Sequence, residues 1–321
     1  MERWTKEQEQ YLIDNYDSKN YCEIAKEINK TEGAIRAKCF DLNLVKNKSW
    51  SDEEIEYIRE NYQRLSVKEM AKELNRTPNA VKLKAERIGC KKYPYNCNYD
   101  YFKNIDTADK AYWLGFIYAD GYVTINHNSN SGCVGIELQA SDVDHLKKLN
   151  KNISGNYPIT FYDKECELCN NDKQHKMCKI RIFSINMAND LINNGATVDK
   201  TYTMSLPDLS DELMPHFIRG FFDGDGNLYI TKKNKIRCSF YSVNVDFLEQ
   251  LKSYLYGNDI NSYLYISKHN ESNYKDLYRL EIAGSEYTEK FLQYIYNDNQ
   301  ICLDRKFKKY YEYYVGLANQ K

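Results

Sequence analysis

The 321-residue sequence has no apolar run near the roughly 20 residues that a membrane-spanning helix needs, so no membrane partner is expected. Its opening residues, Met1-Glu2-Arg3-Trp4-Thr5-Lys6, have no apolar core of the kind a secretory signal carries. Ten cysteines without such a signal read as reduced thiols in the cytoplasm, not as a disulfide framework. The sequence also lacks a basic excess. Its net charge is −1, which counts mildly against a nucleic-acid partner, because phosphate neutralisation supplies much of such affinity. Nor is the excess hidden in one half. Residues 1–92 hold 19 Lys/Arg against 17 Asp/Glu, a net of +2, which leaves −3 for the remainder. Any basic surface must therefore come from local arrangement.

Apolar residues make up 42% and charged residues 28%, ordinary values for globular domains, and the length allows more than one. Two internal repeats organise the chain. The first has a period of 46 residues and needs no gap. Trp4-Thr5 recurs as Trp50-Ser51, Tyr11-Leu12 as Tyr57-Ile58, and the run Ile24–Thr31 as Met70–Thr77. Each unit reads as three short helices, with Trp4, Tyr11 and Leu12 (Trp50, Tyr57 and Ile58 in the second) forming one buried stripe. Thr31 and Thr77 are N-caps for the third helix, and Pro78 occupies a first helical position, where its missing N–H costs nothing. The short segment before each threonine fits a helix-turn-helix corner, a fold whose last helix enters the DNA major groove. That helix carries Arg36 and Lys38 in the first unit and Asn79, Lys82, Lys84 and Arg87 in the second, residue types that read bases or contact phosphate. The units resemble Myb/SANT-type tri-helical repeats. A protein-binding helical repeat, or simple solvated basic faces, is the competing reading. The expected modules span 1–46 and 47–92, followed by a linker at 93–104 where proline and paired lysines break the periodicity.

The second repeat has a period of 105. Residues 112–121, YWLGFIYADG, recur as 217–226, FIRGFFDGDG. Each is an apolar helix that stops at an acidic residue followed by glycine. Gly115 and Ala119 lie four apart on one helix face, as do Gly220 and Gly224, and small residues at that spacing let two helix backbones approach closely. If the helices pack side by side and parallel, Asp120 and Asp225 meet at the negative ends of two helix dipoles, an arrangement that a divalent cation relieves. Gly121 and Gly226 suit a left-handed position ending each helix.

These segments resemble the two signature helices of LAGLIDADG homing endonucleases, over Trp113–Gly121 and Ile218–Gly226. The sixth signature position departs from the family, as Tyr118 and Asp223, while the acidic residue the family uses for metal is kept as Asp120 and Asp225. The resemblance covers about residues 105–315. It implies an α+β fold of two pseudo-symmetric αββαββα halves, 105–209 and 210–321, after two all-α tri-helical helix-turn-helix modules. It further implies a monomer that cuts a long, asymmetric double-stranded DNA site, with two or more Mg²⁺ ions at Asp120 and Asp225 and no small-molecule substrate. The strand-like runs agree, at about 122–127, 133–140, 157–163 and 178–185, then 228–232, 236–243, 261–268 and 277–283. The family also places a basic residue about 80 positions past each motif aspartate. Lys200 and Arg305, with Lys306 beside it, fill that place, and Asp199-Lys200 matches Asp304-Arg305 at the offset of 105. Such cations stabilise developing phosphate charge. A surface ion pair with Asp199 or Asp304 is the alternative.

Other signals carry less. Cys166, Cys169, His175 and Cys178 are zinc-like in type, but their spacing matches no common zinc pattern, so zinc is not expected. Asp223-Gly224-Asp225-Gly226 lacks the acid alternation and twelfth-position Glu of a calcium loop. The five histidines show no motif partner. The chain opens on Met1 and closes on Asn319-Gln320-Lys321, so an intron-encoded or free-standing homing gene is expected rather than an intein. A non-cleaving DNA-binding regulator or an RNA splicing maturase on the same scaffold is the reading from another class. Two retained carboxylates argue against it.

Overall fold

The computed structural model describes every residue except 1–3, 17–18, 43, 45–48, 63–64, 91, 93–94, 127, 129–130, 166–174, 197–202, 268–275, 298–300 and 319–321. The chain forms two compact units, Met1–Glu56 and Tyr57–Lys321. In the first, α1 (Lys6–Asn15), α2 (Tyr21–Glu27) and α3 (Glu32–Asp41) enclose a core of Leu12, Ile24, Ala25, Ile28, Ile35 and Cys39 with Trp4 and Tyr11 against it. Local chemistry fixes the helix starts. Thr5 with Gln8 and Asn20 with Glu23 form reciprocal capping boxes, and the Thr31 hydroxyl accepts from the Ala34 amide.

Helix α4 (Asp52–Asn61) runs into the second unit, where α5 (Val67–Glu73) and α6 (Pro78–Arg87) follow. The buried residues Ile58, Met70, Ala71, Val81 and Ala85 lie 46 positions after Leu12, Ile24, Ala25, Ile35 and Cys39. Thr77 caps α6 with Pro78 in its first turn. Asn29 and Asn75, also equivalent, both adopt positive φ (51° and 48°), a conformation asparagine tolerates better than most residues. The next stretch departs from the tether expected at 93–104. Cys97, Tyr99, Tyr101 and Phe102 are buried in the main core, and the Asn98 amide donates to Ile153 O at 2.7 Å. Four apolar or aromatic side chains in six residues outweigh the linker signal of Pro94 and the paired lysines.

From here the chain repeats one topology twice. The first half is α7 (Ala108–Asp120), β1 (Gly121–Asn126), β2 (Ser131–Gln139), α8 (Val143–Asn152), β3 (Ile159–Lys164), β4 (His175–Phe183) and α9 (Ile185–Asn193). The second half is α10 (Met214–Asp225), β5 (Asn227–Ile230), β6 (Ile236–Ser242), α11 (Val245–Gly257), β7 (Ser262–Ser267), β8 (Leu277–Ile282) and α12 (Gly284–Tyr296). Both sheets are antiparallel, ordered β1-β2-β4-β3 and β5-β6-β8-β7. Val134, Ile136, Ile180 and Ile182 of the first sheet, and Cys238, Phe240, Leu280 and Ile282 of the second, point into one shared core. A further helix, α13 (Asp304–Ala318), extends the second half beyond the expected αββαββα.

Helices α7 and α10 lie at the centre, parallel and in backbone contact. A Cβ on Gly115 would lie 2.0 Å from Phe217 O, and one on Gly220 1.9 Å from Tyr112 O. A Cβ on Gly224 would lie 2.3 Å from Ala119 Cβ. The glycines that end these helices act differently from the left-handed cap expected of them. Gly121 and Gly226 are extended, with φ −84° and −68°, and pass straight into β1 and β5. They are glycine for lack of room: a Cβ would lie 2.7 Å from Ile117 Cα in one case and 2.2 Å from Phe222 Cδ2 in the other.

The two helix backbones have no space for a methyl group between them. Gly220→Ala should therefore lower stability by about 1–3 kcal/mol or more, the range for overpacking a rigid core. Gly257→Ala, at a helix end with nothing within 4 Å of the added carbon, should leave stability within about 0.5 kcal/mol of the wild type. Denaturant unfolding of both variants measures this, and equal stabilities would show that the helix contact is not tight.

Candidate functional site

The close packing of α7 on α10 brings their C-terminal ends together. An added Cβ on Gly224 would lie 3.4 Å from Asp120 Oδ2, so the Asp120 carboxylate lies against the last turn of α10, one residue before Asp225. Asp225 is exposed and Asp120 half-buried, which leaves both carboxylates within reach of solvent. The four small residues expected between the helices (Gly115, Ala119, Gly220 and Gly224) are thus the ones that permit this juxtaposition. Among the described residues, no group of three or more His, Cys, Asp or Glu side chains could hold a metal by itself.

Lys306, on α13, closes the same helix end from inside. Its Nζ donates to Phe222 O at 2.6 Å, to Gly224 O at 3.2 Å and to Gly226 O. Phe222 and Gly224 lie in the last turn of α10 and Gly226 follows it, with Phe222 O also accepting from the Gly226 amide at 2.9 Å, and a cation there opposes the helix dipole. Burial pushes the Lys306 ammonium down to about 8, against the pull of the Asp223 carboxylate and, more weakly, of Asp120 and Asp225. All three ammonium protons are directed at carbonyls, so Lys306 acts on the site by fixing α10. Its neighbour Arg305 turns elsewhere: its Nε donates to Asp142 Oδ2 at 2.9 Å. Asp304 is held by Lys148 at 2.6 Å. Lys200 lies outside the described residues.

Beneath the carboxylates runs a buried polar chain that the sequence did not disclose. Asp223, the departing motif position, is fully buried. Its oxygens accept from Tyr112 Oη (2.8 Å), Tyr296 Oη (2.6 Å) and the Leu303 amide (2.7 Å). Burial raises its pKa, and the three donors and Lys306 oppose that rise. Arg219 is also buried, donating to Ile301 O and Ile295 O at 2.8 Å each with its guanidinium over the Tyr112 ring. His145 completes the chain, with Nε2 3.1 Å from Tyr112 Oη. Since that hydroxyl donates to Asp223, Nε2 is assigned as the protonated nitrogen of a neutral ring. Burial holds the His145 pKa down to about 3, with Lys148 and Arg305 adding to the effect. The other departing residue, Tyr118, is buried too and donates to Asn194 O at 2.8 Å. The signal for this interior was present as polar residues inside apolar helices, but their partners lie 33 to 111 positions away.

The sheet registers identify the outward faces. In the first sheet Lys164, Lys179 and Arg181 stand on that face with Glu137; in the second, Arg237 and Arg279 stand with Glu281. Five cations against two anions make a local basic excess on a chain whose net charge is −1. Tyrosines are interleaved. Lys179 Nζ sits 4.4 Å from the Tyr162 ring centre, and Arg279 4.9 Å from that of Tyr265. On the N-terminal helices, Asn79, Lys82 and Arg87 of α6 are exposed and Lys84 is half-buried. Arg36 is exposed and paired with Glu32 at 2.6 Å. Lys38 turns inward, pairing with Glu9 over the Trp4 ring. Phe40, not singled out from the sequence, is 83% exposed on α3. Of the four zinc-like residues, Cys166 and Cys169 lie outside the described residues. His175 is exposed, while Cys178 is buried on the opposite face of β4 and donates to Gln139 O.

The LAGLIDADG-like domain family matches residues 212–296, the stretch from the start of α10 to the end of α12. No curated protein matches the sequence. Among solved structures the chain is similar to the homing endonuclease I-WcaI bound to its DNA recognition sequence, at 16% identity and a TM-score of 0.46, over 64% of this chain and 90% of that one. It is also similar to I-DmoI in complex with DNA and Ca, at 16% identity and 0.41, over 64% and 94%. The meganuclease I-SmaMI bound to uncleaveable DNA gives 15% identity and 0.39, over 63% and 88%.

The buried imidazole makes stability pH-dependent in a definite sense. The folded protein keeps His145 neutral to about pH 3, whereas the unfolded chain protonates it near 6.5. Its contribution is therefore complete above pH 6.5 and is lost as pH falls toward 3, at up to about 1.4 kcal/mol per pH unit. His145→Gln, which can still donate to Tyr112, should flatten the stability curve over that window relative to the wild type. Parallel curves from urea unfolding at pH 4 to 7 would contradict the assignment.

Proposed function

We propose that this chain is a site-specific homing endonuclease of the LAGLIDADG type, making a metal-dependent double-strand break in a long, asymmetric DNA site. The observation that carries the reading is the meeting of Asp120 and Asp225 at the ends of two helices in backbone contact. The family match over the second half supports it, as does the repetition of that half's topology by the first. Two like charges at the negative ends of two dipoles disfavour each other, and nothing in a purely binding protein requires them.

The residues fit a hard divalent cation. Two carboxylates supply oxygen donors, the site faces solvent, and the absence of a third described acidic, His or Cys ligand suits Mg²⁺, which commonly takes its other positions from water and substrate phosphates. Bound there, such an ion would acidify a water and screen charge on the scissile phosphate. This chain's own residues hold the geometry. The glycines set the separation of the two acidic ends, and Lys306 locks the last turn of α10. Arg305, through Asp142, anchors the start of the helix that delivers Lys306. Lys200, at the matching offset in the first half, supplies the cation beside the phosphate. The basic, tyrosine-rich sheet faces bind double-stranded DNA. Arg36, Asn79, Lys82, Lys84 and Arg87 of the Myb-like modules extend the contacted site, while Lys38 serves the module's own packing. Both acidic ends come from one chain, so the active form is a monomer, working on DNA in the cytoplasm or nucleoid.

Asp120→Asn and Asp225→Asn should each reduce double-strand cleavage of a plasmid library in Mg²⁺ by at least about a hundredfold, with melting temperatures kept within a few degrees. Cleavage near the wild-type rate by either variant would refute the site and favour a DNA-binding regulator or a maturase. Removing residues 1–92 should weaken binding to the sequences the full chain selects, with cleavage retained at saturating protein. Unchanged affinity and selectivity would assign the helical repeats another partner.

A further inference from the structure

The outward face of the first sheet carries a side-chain arrangement that the second sheet lacks. Tyr122 of β1 pairs with Gly135 of β2, which pairs in turn with Arg181 of β4. A Cβ on Gly135 would lie 2.2 Å from Cζ and 2.3 Å from Oη of Tyr122, so the tyrosine ring lies across the bare backbone of β2. Beyond the glycine its Oη accepts a 3.1 Å hydrogen bond from Arg181 Nε. Arg181 itself is exposed, between the buried Ile180 and Ile182. The corresponding positions of the second sheet are Asn227, Ser239 and Glu281, so both the device and the sign of the charge are absent there.

We propose that Arg181 reads a guanine in the bound DNA, and that Tyr122 and Gly135 are positioning residues that aim it. The inference rests on the DNA-binding reading of the sheet faces given above. Guanine presents O6 and N7 in the major groove, and the two terminal nitrogens of an arginine match that pair bidentately. The bond to Tyr122 engages Nε alone, which leaves the Nη1–Nη2 edge for the base. A neutral hydroxyl orients the guanidinium without cancelling its charge. Arg279, by contrast, lies 3.2 Å from the Glu281 carboxylate. A long side chain fixed before binding also loses less rotamer freedom on binding. Only glycine at position 135 allows the ring to cross the strand, so three residues on three strands make one unit.

The test is selection of bound sequences from a randomised double-stranded DNA library by the full chain in Ca²⁺, for the wild type, Arg181→Ala and Tyr122→Phe. The wild type should enrich a G·C pair at one position that Arg181→Ala no longer enriches. Discrimination there should fall roughly tenfold to hundredfold, with every other position kept. Tyr122→Phe keeps the ring and the fold, and should lose discrimination several-fold at that same position. Gly135→Ala, which displaces the ring, should reproduce the Tyr122→Phe profile. If Arg181→Ala weakens all sequences equally and lowers the salt slope by about one, Arg181 is a phosphate contact and the inference is wrong. A Tyr122→Phe profile identical to the wild type overturns the positioning role. No enrichment by the wild type overturns the DNA reading itself.

Discussion

The contact between the backbones of α7 and α10 is the constraint on which the rest of the molecule depends. Glycine at 115, 220 and 224 removes the side chains that would hold the helices apart, and carbonyls of one helix then meet α-carbons of the other. Close approach fixes axial register as well as distance, because each glycine faces a particular residue of its partner. Register in turn decides that Asp120 arrives beside the last turn of α10 rather than a turn away. The two sheets take their positions from the same contact, since Gly121 and Gly226 carry the chain directly from helix into β1 and β5. A site at the helix ends and two sheet faces beyond it are therefore one geometric consequence of a few missing methyl groups.

Such a junction concentrates charge, and the interior is arranged to tolerate it. Asp223 is buried under the helix ends, where an unpaired carboxylate would be strongly unfavourable, and three hydrogen-bond donors and Lys306 surround it. Lys306 in turn donates to carbonyls at the end of α10. Tyr112 links this chain to α7, and Leu303 links it to the segment before α13, so the additional C-terminal helix is tied to the site by hydrogen bonds as well as by apolar packing. The outward faces of the two sheets differ. Equivalent rows carry Glu137, Lys179 and Thr160 in one half, and Tyr241, Arg279 and Tyr265 in the other. A pseudo-symmetric scaffold with unlike faces suits an asymmetric partner.

Much of this was legible in the sequence. The 46-residue spacing gave the six N-terminal helices, and their threonine caps and Pro78 stand where local chemistry put them. The strand-like runs lie within about three residues of the eight strands among the described residues. Small residues four apart gave the face by which α7 and α10 meet. What stayed hidden depends on pairing between distant segments. Arg181 and Tyr122 become partners only once two strand registers are known, and His145 gains a role only beside Tyr112. Lys306 stands at the offset of a cation for the phosphate, yet its ammonium points into α10, because a sequence offset gives a distance along the chain and not a direction. The linker expected at 93–104 contributes instead to the core, because Pro94 and the preceding lysines mask a run of buried aromatics. The helix-ending glycines read as left-handed caps because steric crowding by Ile117 and Phe222 is invisible until the chain is folded.

On the proposed function, Asp120 and Asp225 make one metal site shared between two halves, not two sites that happen to be near. Electron paramagnetic resonance of Mn²⁺ added to the full chain, with a duplex selected from a random library, measures this directly. Removing either carboxylate should then abolish most of the specific Mn²⁺ binding, and the Asp120→Asn/Asp225→Asn double variant should lose little more than either single one. Single variants that each keep half of the bound Mn²⁺, with losses that add in the double variant, would contradict the account.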